Sequence, residues 1–185
     1  MSRPNDTLRE MLIEVAPRHL RDAGRRLVAA ENALVSGDDD GTKYAEALAD
    51  WGDLGGYELE GRWEAAISRS VKTPVDDVSK RLVSELSGGE RKRLVLDLLL
   101  TSGADVLLLD EPDNYLDIPT RVWLEEQIKA CRSTILMVSH DRTLLERVTT
   151  KIVIIEGSGC WVHGGSYATF PEARARRQEL LGDAL

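Results

Sequence analysis

Four consecutive apolar residues, Val106-Leu107-Leu108-Leu109, run directly into two carboxylates, Asp110 and Glu111. A second run, Ile135-Leu136-Met137-Val138, runs into Ser139-His140-Asp141. Unbroken apolar runs of this length suit strands buried on both faces of a parallel sheet. Such a sheet presents its reactive groups at the carboxyl ends of its strands. Asp110, Glu111 and His140 are therefore expected at one sheet edge. The surrounding pattern alternates in the same sense. A helix is predicted over 90–102, stopped by Gly103, with another over about 119–130 and a short one after Asp141. A third strand is predicted over 152–155, and Gly157-Ser158-Gly159 turns into Cys160-Trp161-Val162. The class is α/β with mostly parallel strands.

Residues 1–85 differ in character. They carry no clear strand pattern and many helix signals. Thr7 and Glu10 form a capping box, and Pro17 fits the opening of a second helix. Leu20, Ala23, Leu27, Ala30 and Leu34 recur at spacings of three and four, which gives one apolar face. The acidic stretch Ser36-Gly37-Asp38-Asp39-Asp40-Gly41 breaks that helix. Tyr44, Leu48 and Trp51 mark the next, and Leu59, Trp63, Ala66 and Ile67 a fourth after a turn over 52–56. A helical hairpin joined at the acidic loop is the economical arrangement. The organisation expected is a helical region over 1–85, an α/β region over 86–170, and a charged helix over 171–185.

Composition excludes several classes. The net charge of −8 argues against a surface coated with nucleic-acid contacts, although Arg174, Arg176 and Arg177 make one local basic patch. No apolar run approaches the ~20 residues of a membrane helix, and the first residues lack the apolar core of a secretory signal. Cys131 and Cys160 have no metal-ligand spacing and suit a reducing compartment. A cytoplasmic protein is expected.

Three strings carry chemistry. In Ser87-Gly88-Gly89-Glu90, serine and glutamate form a capping box, so a structural role suffices for those two. The paired glycines ask for more. They cost chain entropy at a helix start unless something must approach the backbone closely. Helix-start amides beside a serine hydroxyl make an anion site. Asp110 stands where a Mg²⁺ would be held through water. Glu111 points elsewhere, because strand side chains alternate. It can polarise an attacking water, and general-base help of this kind is worth about 10²–10⁴ in rate. His140, at the same edge, can reach a terminal phosphate and orient that water. His19 and His163 have no partner motif.

These strings, in this order, resemble the ATP-binding cassette (ABC) ATPases. Leu86-Ser87-Gly88-Gly89-Glu90 looks like their signature motif and Val106 through Glu111 like the Walker B strand with its catalytic glutamate. Asn114-Tyr115-Leu116-Asp117 looks like the D-loop and His140 like the switch histidine. Ser139-His140-Asp141-Arg142 and the Trp161-Val162-His163-Gly164-Gly165-Ser166-Tyr167 hairpin before an Arg-rich helix resemble the ABC-F subfamily. Residues 1–70 resemble its helical arm, and 174–181 the start of the linker between two cassettes. Asp113 and Tyr115 depart from the usual Thr and His of the D-loop, and neither is expected to do chemistry. No Gly-x-x-x-x-Gly-Lys-Ser/Thr loop occurs. Its nearest look-alike, Gly37 to Lys43, is misspaced and carries three carboxylates that would repel phosphate. A glutamine loop before the signature is missing as well.

The resemblance implies a partial ABC core, of the P-loop NTPase type, plus a helical arm. The chain looks like the later part of a first cassette, excised or encoded by a truncated gene. ATP and Mg²⁺ would be cofactors of the intact protein. Ser87, Gly88, Gly89 and Glu90 would meet nucleotide held on a second cassette, Glu111 and His140 would be catalytic, and Asp117 would link the two sites. Partners would be that second cassette and the ribosome, through rRNA or tRNA, in translation or in antibiotic resistance by ribosome protection, with no membrane insertion. Two alternatives stay open: the nucleotide-binding subunit of a membrane transporter, and a non-catalytic interaction module. With no phosphate loop, the chain alone is expected to bind ATP weakly or not at all.

Overall fold

The computed structural model describes residues 6–38, 41–72, 80–156 and 159–182. Asp39, Asp40, Gly157 and Ser158, which belong to two expected turns, and residues 183–185 of the expected charged helix lie outside the described residues. The chain forms two compact units, Met1–Ser102 and Gly103–Leu185. The break between them falls after Ser102. The reason is that the helix opened by the double glycine buries Leu94 and Leu98 in the core of the first unit.

The first unit is helical: α1 (Leu8–Glu14), α2 (Arg18–Ser36), α3 (Thr42–Asp53), α4 (Gly56–Ser70), a 3₁₀ turn over Val83–Glu85, and α5 (Gly88–Leu100). The Thr7–Glu10 capping box forms as expected. α2 ends at Gly37, whose φ of 81° lets its N–H reach back to the carbonyls of Ala33 and Leu34. α2 packs along α3, the expected hairpin, and α4 packs along α5. Leu8, Leu12, Leu27, Trp51, Val83 and Leu94 are fully buried at the centre. The Trp51 and Trp63 rings meet at 6.0 Å, and the Trp51 indole N–H donates to Glu60 at 3.2 Å. Gly56 is required here, since a Cβ would stand 2.2 Å from the Trp51 ring. Asp97, only 2% exposed, accepts from the Arg69 guanidinium Nε at 3.0 Å. The segment before α5 is tied to the start of α1 by Leu8 N–H to Arg81 O at 2.7 Å and Val83 N–H to Asp6 O at 2.9 Å.

The second unit alternates: β1 (Val106–Asp110), α6 (Ile118–Ala130), β2 (Thr134–Val138), α7 (Arg142–Val148), β3 (Ile152–Glu156), β4 (Gly159–His163), a 3₁₀ turn over Tyr167–Thr169, and α8 (Phe170–Gly182). β1 and β2 pair in parallel, Val106 opposite Thr134 and Asp110 opposite Val138. β3 and β4 form a separate antiparallel pair. The α/β class holds, with one strand pair of each kind among the described residues.

One expectation fails. β1 and β2 are not buried on both faces. Leu107 and Leu109 are 6% exposed, whereas Val106, Leu108, Leu136 and Val138 on the opposite face are 54–74% exposed. Side chains alternate along a strand, and the described residues cover one face alone. The unbroken apolar run therefore specifies two covered faces, of which one is bare in this chain.

Around β4 the aromatics cluster. Phe170 lies 5.6 Å from Tyr167 and 6.1 Å from Trp161, and the Arg177 guanidinium stacks 5.0 Å over Trp161.

Candidate active-site edge and signature turn

In the first unit, Ser87 is the N-cap of α5 with extended backbone. Its Oγ accepts from the Glu90 N–H at 3.2 Å and donates to Glu90 Oε2 at 2.7 Å. Glu90 Oε2 also accepts from the Ser87 N–H at 3.0 Å, and Oε1 from the Lys72 N–H at 3.0 Å. These donors, the Lys72 amide first and then the Ser87 hydroxyl, hold the Glu90 carboxyl below its ordinary value. Glu90 thus has a structural task. Gly88 and Gly89 do not. Neither has positive φ, and a Cβ on either would meet nothing within 4 Å. Their lack of a side chain is needed neither by their conformation nor by a neighbour in the chain. Their amides precede the first intrahelical bond, Arg91 N–H to Ser87 O at 3.0 Å, so they belong to the orphan donors of a helix start.

In the second unit the parallel register brings the chemistry together. Asp110 ends β1, exposed, beside Val138 at the end of β2. The Glu111 N–H continues the ladder by donating to Val138 O at 2.8 Å. Glu111 itself sits at φ 45°, a strained conformation for a non-glycine residue, costing on the order of 1–3 kcal/mol. That turn swings its carboxylate to within 3.3 Å of His140 Nε2. The His140 side chain is 95% exposed and that of Glu111 20%. The pair therefore has one sheltered member and one facing solvent, open to a ligand approaching from outside. Among the described residues no group of three His, Cys, Asp or Glu side chains could cage a metal. A single exposed Asp110 carboxylate suits Mg²⁺, which keeps most of its waters and takes further ligands from substrate phosphates.

Asp117 is the N-cap of α6, its Oδ1 accepting from the Thr120 N–H at 3.0 Å, so it has a structural duty beside any other. Tyr115, two residues earlier, is 94% exposed at φ 64°. Between the two strained residues lies Asp113, which is not expected from the sequence to do chemistry. Asp113 is 5% exposed and accepts from Ser139 Oγ at 2.7 Å. Ser139 Oγ in turn accepts from the Asp141 N–H at 3.0 Å. Arg121 completes the stitching, donating to Leu116 O at 3.2 Å and to Asp141 Oδ2 at 3.2 Å. No spacing rule flags these three residues, because their partners lie on separate loops.

A family model described as ABC transporter matches residues 12–114. The chain is 46% identical to the "Antibiotic resistance protein" of Mycobacteroides abscessus over 98% of its own length and 34% of that protein's. It is 36% identical to the "Tylosin resistance ATP-binding protein TlrC" of Streptomyces fradiae, over 90% of its own length and 32% of the relative's. It is also 36% identical to the "Energy-dependent translational throttle protein EttA" of Mycobacterium tuberculosis, over 68% of its own length and 22% of that chain. The chain spans about a third or less of the length of these curated relatives.

Proposed function

The chain belongs to the ATP-binding cassette family, in its ABC-F subfamily, and from that premise we propose that it carries the hydrolytic edge of a nucleotide clamp. ATP is the substrate. Glu111 polarises the attacking water, and His140, 3.3 Å away, orients it against the terminal phosphate. Asp110 would hold Mg²⁺, and that ion would offset phosphate charge when bound. The amides of Gly88 and Gly89, with the hydroxyl of Ser87 fixed by Glu90, meet the terminal phosphate of nucleotide held on a second cassette. Asp117 would link the two sites. The single observation that carries this reading is the Glu111–His140 contact beside Asp110 at the end of a parallel strand pair.

The organisation follows. Residues 1–85 act as helical arm and subdomain, 86–170 as the later part of an ATPase core, and 171–185 as the start of a linker helix. The bare apolar face of Val106, Leu108, Leu136 and Val138 supports the idea that further core is needed for nucleotide binding. The work is done on the ribosome in the cytoplasm, in translation or in antibiotic protection, as the relatives named for tylosin resistance and translational throttling suggest. No described helix is long and apolar enough to cross a membrane.

Two measurements test the reading. Calorimetry of the chain alone should show weak ATP binding or none, and submicromolar affinity would defeat the missing-grip argument. A chimera in which this chain replaces the matching third of the Mycobacteroides abscessus relative should hydrolyse ATP. In it, Glu111→Gln should lower turnover at least 100-fold and leave ATP trapped. Unchanged turnover would remove Glu111 from the mechanism.

A further inference from the structure

We infer that Asp113 is a positioning residue: its buried carboxylate, by holding Ser139, locks the turn that carries His140 over Glu111. The inference rests on the reading of Glu111 and His140 given above. Four observations support it. First, a carboxylate that is 5% exposed is costly to keep from water unless it is bonded. The side-chain bond the structure gives it is to Ser139, at 2.7 Å. Second, Ser139 is the hinge point of the histidine turn. Its Oγ donates to Asp113 and accepts from the Asp141 N–H at 3.0 Å, so the hydroxyl fixes both sides of His140. Third, His140 has no shelter of its own. Its side chain is 95% exposed, so packing does not set its position and its flanking residues must. Fourth, the bond spans two loops that depend on each other. Glu111 at φ 45° and Tyr115 at φ 64° flank Asp113 in a strained loop. Such a loop persists only where its surroundings over-determine it. The Arg121 bridge from Leu116 O to Asp141 Oδ2 secures the same two loops further along. Asp113 needs no contact with nucleotide or water to do this. A threonine-sized hydroxyl could make a bond here, but a carboxylate accepts from Ser139 in its ionised form, and such bonds are the stronger kind.

The test uses the whole chain and nuclear magnetic resonance. In the unsubstituted chain, the His140 ring protons should show cross-relaxation to the Glu111 methylenes, and the Asp141 amide should exchange slowly. Asp113→Leu removes the acceptor and Ser139→Ala the donor. Each should abolish the ring contact and speed Asp141 amide exchange about tenfold, the effect of one lost charge-assisted hydrogen bond. Asp113→Asn keeps an acceptor oxygen and should retain the contact, with exchange within about threefold of the starting value. If Asp113→Leu does not fold, Ser139→Ala gives the same readout from the smaller side. A ring contact that persists in either folded variant overturns the inference, as does its absence from the unsubstituted chain. Unchanged turnover of Glu111→Gln in the chimera would sink the hydrolytic reading and leave this clamp standing, so the two failures are distinguishable.

Discussion

His140 Nε2 lies 3.3 Å from Glu111 Oε1 although the two residues follow different strands. The parallel register sets Asp110 opposite Val138, and from there Glu111, one residue on, and His140, two residues on, turn toward each other. Glu111 does so at positive φ, so the contact is made by a conformation that an unconstrained glutamate avoids.

The exposed member of this pair should be dispensable for folding and not for turnover. His140→Ala in the chimera is expected to leave the melting temperature within about 2 °C and to lower the hydrolysis rate by about 10²-fold. A rate within threefold of the parent would show that His140 does not orient the water. Thermal melting and steady-state phosphate release measure the two halves of this expectation.

Two glycines of α4 should respond with opposite signs. Gly56→Ala forces a Cβ to within 2.2 Å of the buried Trp51 ring, an overpacking expected to cost about 1–3 kcal/mol. Gly61 lies in the same helix with nothing within 4 Å of its would-be Cβ. Gly61→Ala should stabilise by about 0.5–1 kcal/mol through helix propensity. Urea unfolding of the two variants checks the pair, and equal destabilisation by both would contradict the packing described.

Acid should loosen the signature turn. The carboxyl of Glu90 is held below its ordinary value of 4.5 by the Lys72 amide first and then by Ser87. A depressed carboxyl contributes stability that is fully present above its unfolded value and is lost as pH falls through the folded one. The loss therefore falls below about pH 4.5. Between pH 6 and pH 3 the melting temperature of the unsubstituted chain should drop further than that of Glu90→Gln. Parallel pH profiles would show that Glu90 is not held by these donors.

The two faces of β1 should tolerate change differently. Leu107 is 6% exposed and Leu108 74%. Leu107→Ala is expected to cost about 2–5 kcal/mol. Leu108→Lys should change stability by less than about 0.5 kcal/mol and raise the solubility of the chain, because it breaks an exposed apolar row. Chemical unfolding and the concentration at which the chain begins to associate report the two effects. A Leu108→Lys variant that unfolds the unit would mean that this face is covered in solution.

Much of this chain can be read without coordinates, since its signals are local. Thr7 with Glu10 and Ser87 with Glu90 form the capping boxes that their spacing predicts. Gly103, with φ of 75°, stands just past α5, where that helix is expected to stop. The apolar runs before Asp110 and before Ser139 become strands, as their short length suggests for apolar runs bounded by turn residues. Signature, acidic pair and histidine are strings of adjacent residues, which is why the family was legible.

Other features depend on residues distant in sequence, and only the fold decides those. An apolar run states that a strand can be buried on two sides, while the neighbours present decide whether it is. Leu107 is covered and Leu108 is bare for that reason alone. In the sequence Asp113 reads as a departure from the D-loop pattern that is not expected to do chemistry. The partner that gives it a role, Ser139, follows the other strand, and it is the parallel register of β1 and β2 that brings the two within 2.7 Å.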